Sequence, residues 1–96
     1  MKQEPRKLRV PRDTADLIRG LHPQLKRKVR VAMEQIIADP HIGKALKDEL
    51  EGLRSYRIGK FRIIYRVGKT RTIDVVALGP RARIYEETYR KIKAKR

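Results

Sequence analysis

Arg57, Lys60, Arg62 and Arg66 fall within Tyr56-Arg57-Ile58-Gly59-Lys60-Phe61-Arg62-Ile63-Ile64-Tyr65-Arg66-Val67, and Arg81 and Arg83 follow in Leu78-Gly79-Pro80-Arg81-Ala82-Arg83-Ile84-Tyr85. Both stretches join apolar, strand-like runs to regularly placed cations. A guanidinium stays charged at any working pH, and its planar fork donates to two oxygens of one phosphate. Alternation along a strand gathers such residues on one face while the apolar ones pack on the other. From Leu53 to Ile73 no acidic residue interrupts the positive charge. Fixed cations on a buried sheet make a surface suited to phosphate.

Competing chemistries find little support. The chain has no Cys, which excludes a disulfide framework, a thiol nucleophile and a zinc-thiolate site. Its two histidines, His22 and His41, have no partner at helical spacing, so neither a metal site nor any other cofactor is expected. A net charge of +15 on 96 residues exceeds what solubility requires and costs self-repulsion in the folded state. Such a charge calls for an anionic partner. Nucleic acid is the first candidate and an acidic protein the second. An anionic membrane ranks last, because aromatic residues make up only 5% and no basic helix carries an aromatic insertion face. With neither a membrane-length apolar run nor a hydrophobic leader after Met1-Lys2-Gln3-Glu4-Pro5-Arg6, the expected location is cytoplasmic.

The elements that must position the cations are legible from periodicity. Lys7-Leu8-Arg9-Val10, ending at Pro11, predicts a short first strand. Asp13 or Thr14 is placed to cap a helix with Leu17, Ile18 and Leu21 on its apolar side, and Gly20 and Pro23 turn it into a helical hairpin. Leu25, Val29, Ala32, Met33, Ile36 and Ile37 then mark a second helix stopped at Asp39-Pro40. Lys26, Arg27, Lys28 and Arg30 line mainly its outer side, a solvated face or a secondary nucleic-acid contact. Residues 41–52 read as a partly helical connection.

Short turns at Gly59-Lys60 and Gly68-Lys69-Thr70-Arg71 link three antiparallel strands. In the middle strand Phe61, Ile63, Tyr65 and Val67 share one face and Arg62, Ile64 and Arg66 the other, so one face is expected to pack and the other to be cationic. Ile84, Tyr85, Thr88, Tyr89 and Ile92 have the spacing of a final helix. The expected fold is α+β in one small domain at 7–92: a short N-terminal strand, a helical hairpin, a three-stranded antiparallel meander and a C-terminal helix. Residues 1–6 and 93–96 are expected to be mobile termini.

This order of elements, with Leu46-Lys47-Asp48-Glu49-Leu50-Glu51-Gly52-Leu53, Arg57-Ile58-Gly59-Lys60-Phe61-Arg62-Ile63-Ile64-Tyr65 and Gly79-Pro80-Arg81-Ala82-Arg83-Ile84-Tyr85, resembles the RelE/ParE toxin superfamily of bacterial and archaeal toxin–antitoxin systems. The likeness runs from about Lys7 to Ile92. It implies a small toxin, monomeric when free, that is neutralised by an acidic antitoxin wrapping its surface. In the RelE branch the toxin enters the ribosomal A site and cuts messenger RNA without a metal; in the ParE branch a similar fold inhibits DNA gyrase and needs no nuclease site.

RNA cleavage by internal transfer requires a base for the 2′-hydroxyl proton, cations on the crowded phosphate and an acid for the leaving oxygen. The resemblance gives Arg62 and Arg81 the phosphate and Tyr85 either base stacking or proton transfer; Arg57, Arg66 and Arg83, as nearby fixed cations, are expected to make further phosphate contacts. The RelE branch carries lysines in the strand before the shared arginine, where this chain has Arg57 and Gly59. Arg57 holds phosphate but makes a poor base, because a guanidinium does not give up its proton in proteins. Lys60 is the nearby amine that neighbouring cations would push toward its neutral form. The expected function is therefore a ribosome-dependent messenger endoribonuclease, with a gyrase inhibitor or a basic RNA-binding module without catalysis as alternatives.

Overall fold

The computed structural model describes residues 6–94. Its elements are β1 (Lys7–Arg9), α1 (Arg12–Arg19), α2 (Pro23–Ala38), β2 (Lys44–Ala45), a 3-10 turn at Asp48–Leu50, β3 (Arg54–Ile58), β4 (Phe61–Val67), β5 (Thr72–Pro80) and α3 (Ile84–Ala94). They form a five-stranded sheet in the order β1-β5-β4-β3-β2. The expected meander is β3-β4-β5, antiparallel throughout. The helical hairpin returns the chain so that β1 lies parallel to β5, pairing Leu8 with Ile73. Two exposed residues, Lys44 and Ala45, add the β2 edge against Arg54 and Ser55. So short a strand has no alternation to read, and periodicity does not predict it.

Local chemistry fixes the turns. Ile58 and Phe61 close a two-residue hairpin around Gly59-Lys60, with Gly59 at φ 61°. Glycine at the first central position alone suits the II′ geometry, whose twist matches the flanking strands. The first helix differs from expectation at its start. Pro11, in extended conformation, is the cap and its carbonyl accepts from the Ala15 N–H at 2.8 Å, so Asp13 and Thr14 lie within the helix. For α2, Pro23 occupies the first turn, where its missing N–H costs nothing, and His22 Nδ1 accepts from the Gln24 N–H at 3.2 Å.

Two cores hold the sheet. On one face Val29, Ala32 and Ile36 of α2 pack against Ile58, Ile63, Tyr65, Ile73, Val75 and Leu78. On the other, Leu53, Ile64 and Ala77 pack against Ile84 of α3, with Tyr85 and Ile92 at the margin. The expectation of one packed and one cationic face is thereby corrected. Ile64, assigned with Arg62 and Arg66, is fully buried under α3, and removing such a side chain from water stabilises by about 1.5–3 kcal/mol. A register shift assists: Ile64 pairs with Ala77 but Tyr65 with Val75, leaving Val76 as an extra residue beside Ala77 in the α3 cluster.

Tyr65 behaves as the core residue its strand position predicted. Its buried hydroxyl donates to the Pro40 carbonyl at 2.7 Å and accepts from the Gly43 N–H at 3.0 Å, joining β4 to the segment after α2. The terminal boundaries also differ from expectation. Arg6 donates to the Ile37 carbonyl at 2.8 Å, and α3 continues through Lys93 to Ala94. The rest of the expected mobile termini, residues 1–5 and 95–96, lies outside the described residues. Among the described residues, no helix is long and apolar enough to cross a membrane.

Candidate nucleic-acid interface

Strand register decides which cations meet. Arg57 lies directly opposite Arg62, and Arg62 opposite Gly79, so all three share the sheet face toward α3. Ile58 and Phe61 close the two-residue hairpin, so the next pair, Arg57 and Arg62, is the non-hydrogen-bonded kind, with Cα atoms about 4.5 Å apart. Like charges directly opposite are destabilising. Among the described residues Arg57, Lys60, Arg62, Arg66, Arg81 and Arg83 make no ion pair. An arriving anion would relieve that repulsion.

The hairpin brings further groups to the same end of the sheet. The Arg81 N–H donates to the Lys60 carbonyl at 2.8 Å, so the residue after β5 is fastened to the β3–β4 turn. Arg57 Nε donates to the Gly59 carbonyl at 3.2 Å, folding its exposed side chain along that turn. Lys60, Arg81 and Arg83 are all exposed, and the Arg83 N–H donates to the Pro80 carbonyl at 3.0 Å in the turn leading into α3.

Arg62 is half-buried and held. Its Nη1 donates to Ser55 Oγ at 2.9 Å, and Ser55 Oγ lies 3.2 Å from the Tyr85 hydroxyl. Arg62 Nε is covered by protein and has no hydrogen-bond partner. Tyr85, half-buried at the margin of the α3 core, thus has its ring in packing and its polar end beside Arg62. Sequence reasoning passed over Ser55. The available signal was period two: Ser55 stands two residues before Arg57 on the same strand face.

Gly79 keeps α3 close to this end of the sheet. A Cβ there would stand 3.0 Å from Ile84 Cδ1 and 3.3 Å from Glu87 Oε1. A carboxylate therefore stands over the residue opposite Arg62, a second group that sequence reasoning did not single out.

Arg66 stands apart. Four residues along β4 from Arg62, it is paired in register with Asp74, whose carboxylate reaches Arg9 at 3.6 Å. It lines a cleft of about 660 Å³ with Arg9, Asp13, Asp74, Lys91 and Ile92, under the far end of α3. A second cleft of about 660 Å³ runs between α2 and β3, lined by Arg27, Lys28, Val31, Tyr56 and Arg57. Neither cleft is lined by Arg62, Arg81 or Tyr85. Arg62 and Tyr85 meet through Ser55, Arg81 follows β5 beside the β3–β4 turn, and Arg57 borders the α2 groove.

The sequence model for the ParE toxin of type II toxin–antitoxin systems (parDE) matches residues 7–85. Among solved structures, the chain is similar to one in the RelBE toxin–antitoxin complex from Mycobacterium tuberculosis, with 26% identity, a TM-score of 0.70, and coverage of 81% of this chain and 100% of that one. It is similar in fold to a mutant of the E. coli toxin RelE in the free state, at 14% identity and a TM-score of 0.75, covering 96% of this chain and 98% of the other. The archaeal RelE–RelB complex from Pyrococcus horikoshii contains another chain of similar fold, at 20% identity and a TM-score of 0.67, covering 83% of this chain and 99% of that chain. No curated protein matches the sequence.

Proposed function

Because the chain belongs to the ParE toxin family of type II toxin–antitoxin systems, within the RelE/ParE superfamily, we propose that it works as its RelE-like relatives are expected to, cutting messenger RNA on the ribosome. The observation that carries this reading is the directly opposed cation pair Arg57 and Arg62, neither of which makes an ion pair, with Tyr85 tied to Arg62 through Ser55. In the proposed reaction the 2′-hydroxyl loses its proton and its oxygen attacks the adjacent phosphorus. The bond to the 5′-oxygen then breaks and that oxygen takes a proton, leaving a cyclic phosphate. Arg62 and Arg81 hold the charge that builds on the phosphoryl oxygens, and such donors are most effective when already oriented. Arg57 and Arg83 position the flanking backbone. Tyr85 protonates the leaving oxygen or stacks on a base, and Lys60 receives the 2′-hydroxyl proton. Arg66, at the other end of α3, contacts backbone farther along the strand.

The partner that silences this face is an acidic antitoxin. Structures similar to this chain come from toxin–antitoxin complexes, and a charge of +15 suits a carboxylate-rich segment. The antitoxin is expected to cover the cationic end of the sheet or to displace α3.

A second reading is favoured by the matching family itself, which is that of the ParE toxins, and by Arg57 and Gly59 standing where a nuclease is expected to carry lysines. It makes the chain an inhibitor of DNA gyrase with no reaction of its own. A translation reaction with a defined messenger, followed by end mapping, separates the two. Ribosome-dependent ends at the A-site codon support the nuclease; intact messenger with blocked DNA supercoiling supports the gyrase inhibitor.

A further inference from the structure

We infer that Ser55 is a positioning residue that sets the orientation of both Arg62 and Tyr85, an inference resting on the nuclease reading of those two residues. Ser55 is 1% exposed, on β3 between Lys44 of β2 and Ile64 of β4, on the face toward α3. A serine hydroxyl has one proton and two lone pairs. Arg62 Nη1 can only donate, so at 2.9 Å it occupies a lone pair of Ser55 Oγ. The serine proton then needs an acceptor, and among the described residues the one within reach is the Tyr85 oxygen at 3.2 Å. Were Tyr85 the donor instead, the Ser55 proton would be buried without a partner, which leaves the desolvation of that donor uncompensated. The direction is therefore Arg62 to Ser55 to Tyr85.

Two consequences follow for chemistry. Tyr85 accepts from inside the protein, so its own proton points away from Ser55 and is free for a leaving oxygen. Arg62 is held at one corner of its fork, leaving Nη2 and the second Nη1 proton for phosphate. Its Nε is stranded in this pose. A free guanidinium would turn to satisfy that donor, so Ser55 holds an orientation that Arg62 alone would not keep.

The test compares Ser55→Ala with wild type in single-turnover cleavage on programmed ribosomes, with melting to check the fold. Misplacing a reacting group by about 1 Å costs roughly 10²-fold in rate; a loss of that order is expected, with KM little changed. Ser55→Thr, which keeps the hydroxyl, should recover most of the rate. If Ser55→Ala does not fold, Ser55→Cys, close in volume but a weak acceptor, takes its place. In parallel, the Arg62 side-chain nitrogens are followed by ¹⁵N NMR in the free protein. Slow rotation of the guanidinium in wild type and fast rotation in Ser55→Ala is expected. Wild-type cleavage that Ser55→Ala leaves intact while Arg62→Ala abolishes it overturns the inference and spares the nuclease reading. Absence of wild-type cleavage sinks that reading, and the NMR arm then decides the geometry: equal rotation in the two proteins overturns it.

Discussion

The Arg81 N–H and the Lys60 carbonyl, 2.8 Å apart, tie the chain leaving β5 to the tip of the β3–β4 hairpin. The two residues lie 21 positions apart in sequence and have exposed side chains, yet they cannot move independently. Any ligand that engages Arg81 therefore also feels the hairpin that sets the Arg57–Arg62 pair.

Arg81→Ala and Arg62→Ala should each lower messenger cleavage about 10²–10³-fold, the cost of removing one preorganised donor from a developing oxyanion. Arg81 is exposed, so its variant should stay within about 0.5 kcal/mol of wild-type stability. End mapping on programmed ribosomes and chemical denaturation read the two effects separately. Cleavage by Arg81→Ala at the wild-type rate would remove Arg81 from the site.

Arg57 and Arg66 should separate in a salt titration. Arg57 shares a register position with Arg62, whereas Arg66 lines the cleft under the far end of α3. Arg57→Ala is expected to weaken binding of a non-cleavable messenger fragment and to lower the salt slope by about 1. Arg66→Ala should shift affinity only for fragments long enough to reach the far end of α3. Equal losses on the shortest fragment would place both residues at one phosphate site.

Tyr65→Phe leaves the Pro40 carbonyl and the Gly43 N–H without their buried partner and should cost about 1–3 kcal/mol. Gly43→Ala attacks the same contact from the other side, since its Cβ would fall 2.6 Å from the Tyr65 hydroxyl. Burial also raises the Tyr65 phenol above its ordinary 10.0. The folded state keeps this proton longer than the unfolded chain, so the contribution is complete below pH 10 and is lost as pH rises toward the folded value. Urea midpoints across the alkaline range should fall more steeply for wild type than for Tyr65→Phe.

Asp13 and Lys91 form the contact that fastens α3 to α1, at 3.0 Å, with Lys91 Nζ also donating to the Val76 carbonyl at 2.9 Å. The hydrogen bond from Lys91 lowers the Asp13 carboxyl below its ordinary 3.8. That contribution is present above 3.8 and disappears as pH falls through the lower folded value. Asp13 is 64% exposed, so solvent screening limits the effect to about 0.2–1 kcal/mol. Denaturation midpoints in acid should show Asp13→Asn destabilised at neutral pH and converging with wild type below the folded value. Parallel curves would mean the pair contributes nothing.

Local chemistry written in the sequence accounts for the helical hairpin, the meander, the Gly59 turn and the burial of Tyr65, because each rests on periodicity or on the backbone freedom of one residue. The family was legible for the same reason: its marks lie in contiguous stretches that the matching model spans from 7 to 85. Tertiary structure alone decided that Ile64 leaves the cationic face for the α3 core, that Arg66 is divided from Arg62, and that a serine links Arg62 to Tyr85. Each of these depends on which residue of one strand stands opposite which of the next, and on where α3 returns across them. Register and packing of that kind join residues up to 30 positions apart, as in Ser55 and Tyr85, a range over which local periodicity carries no information.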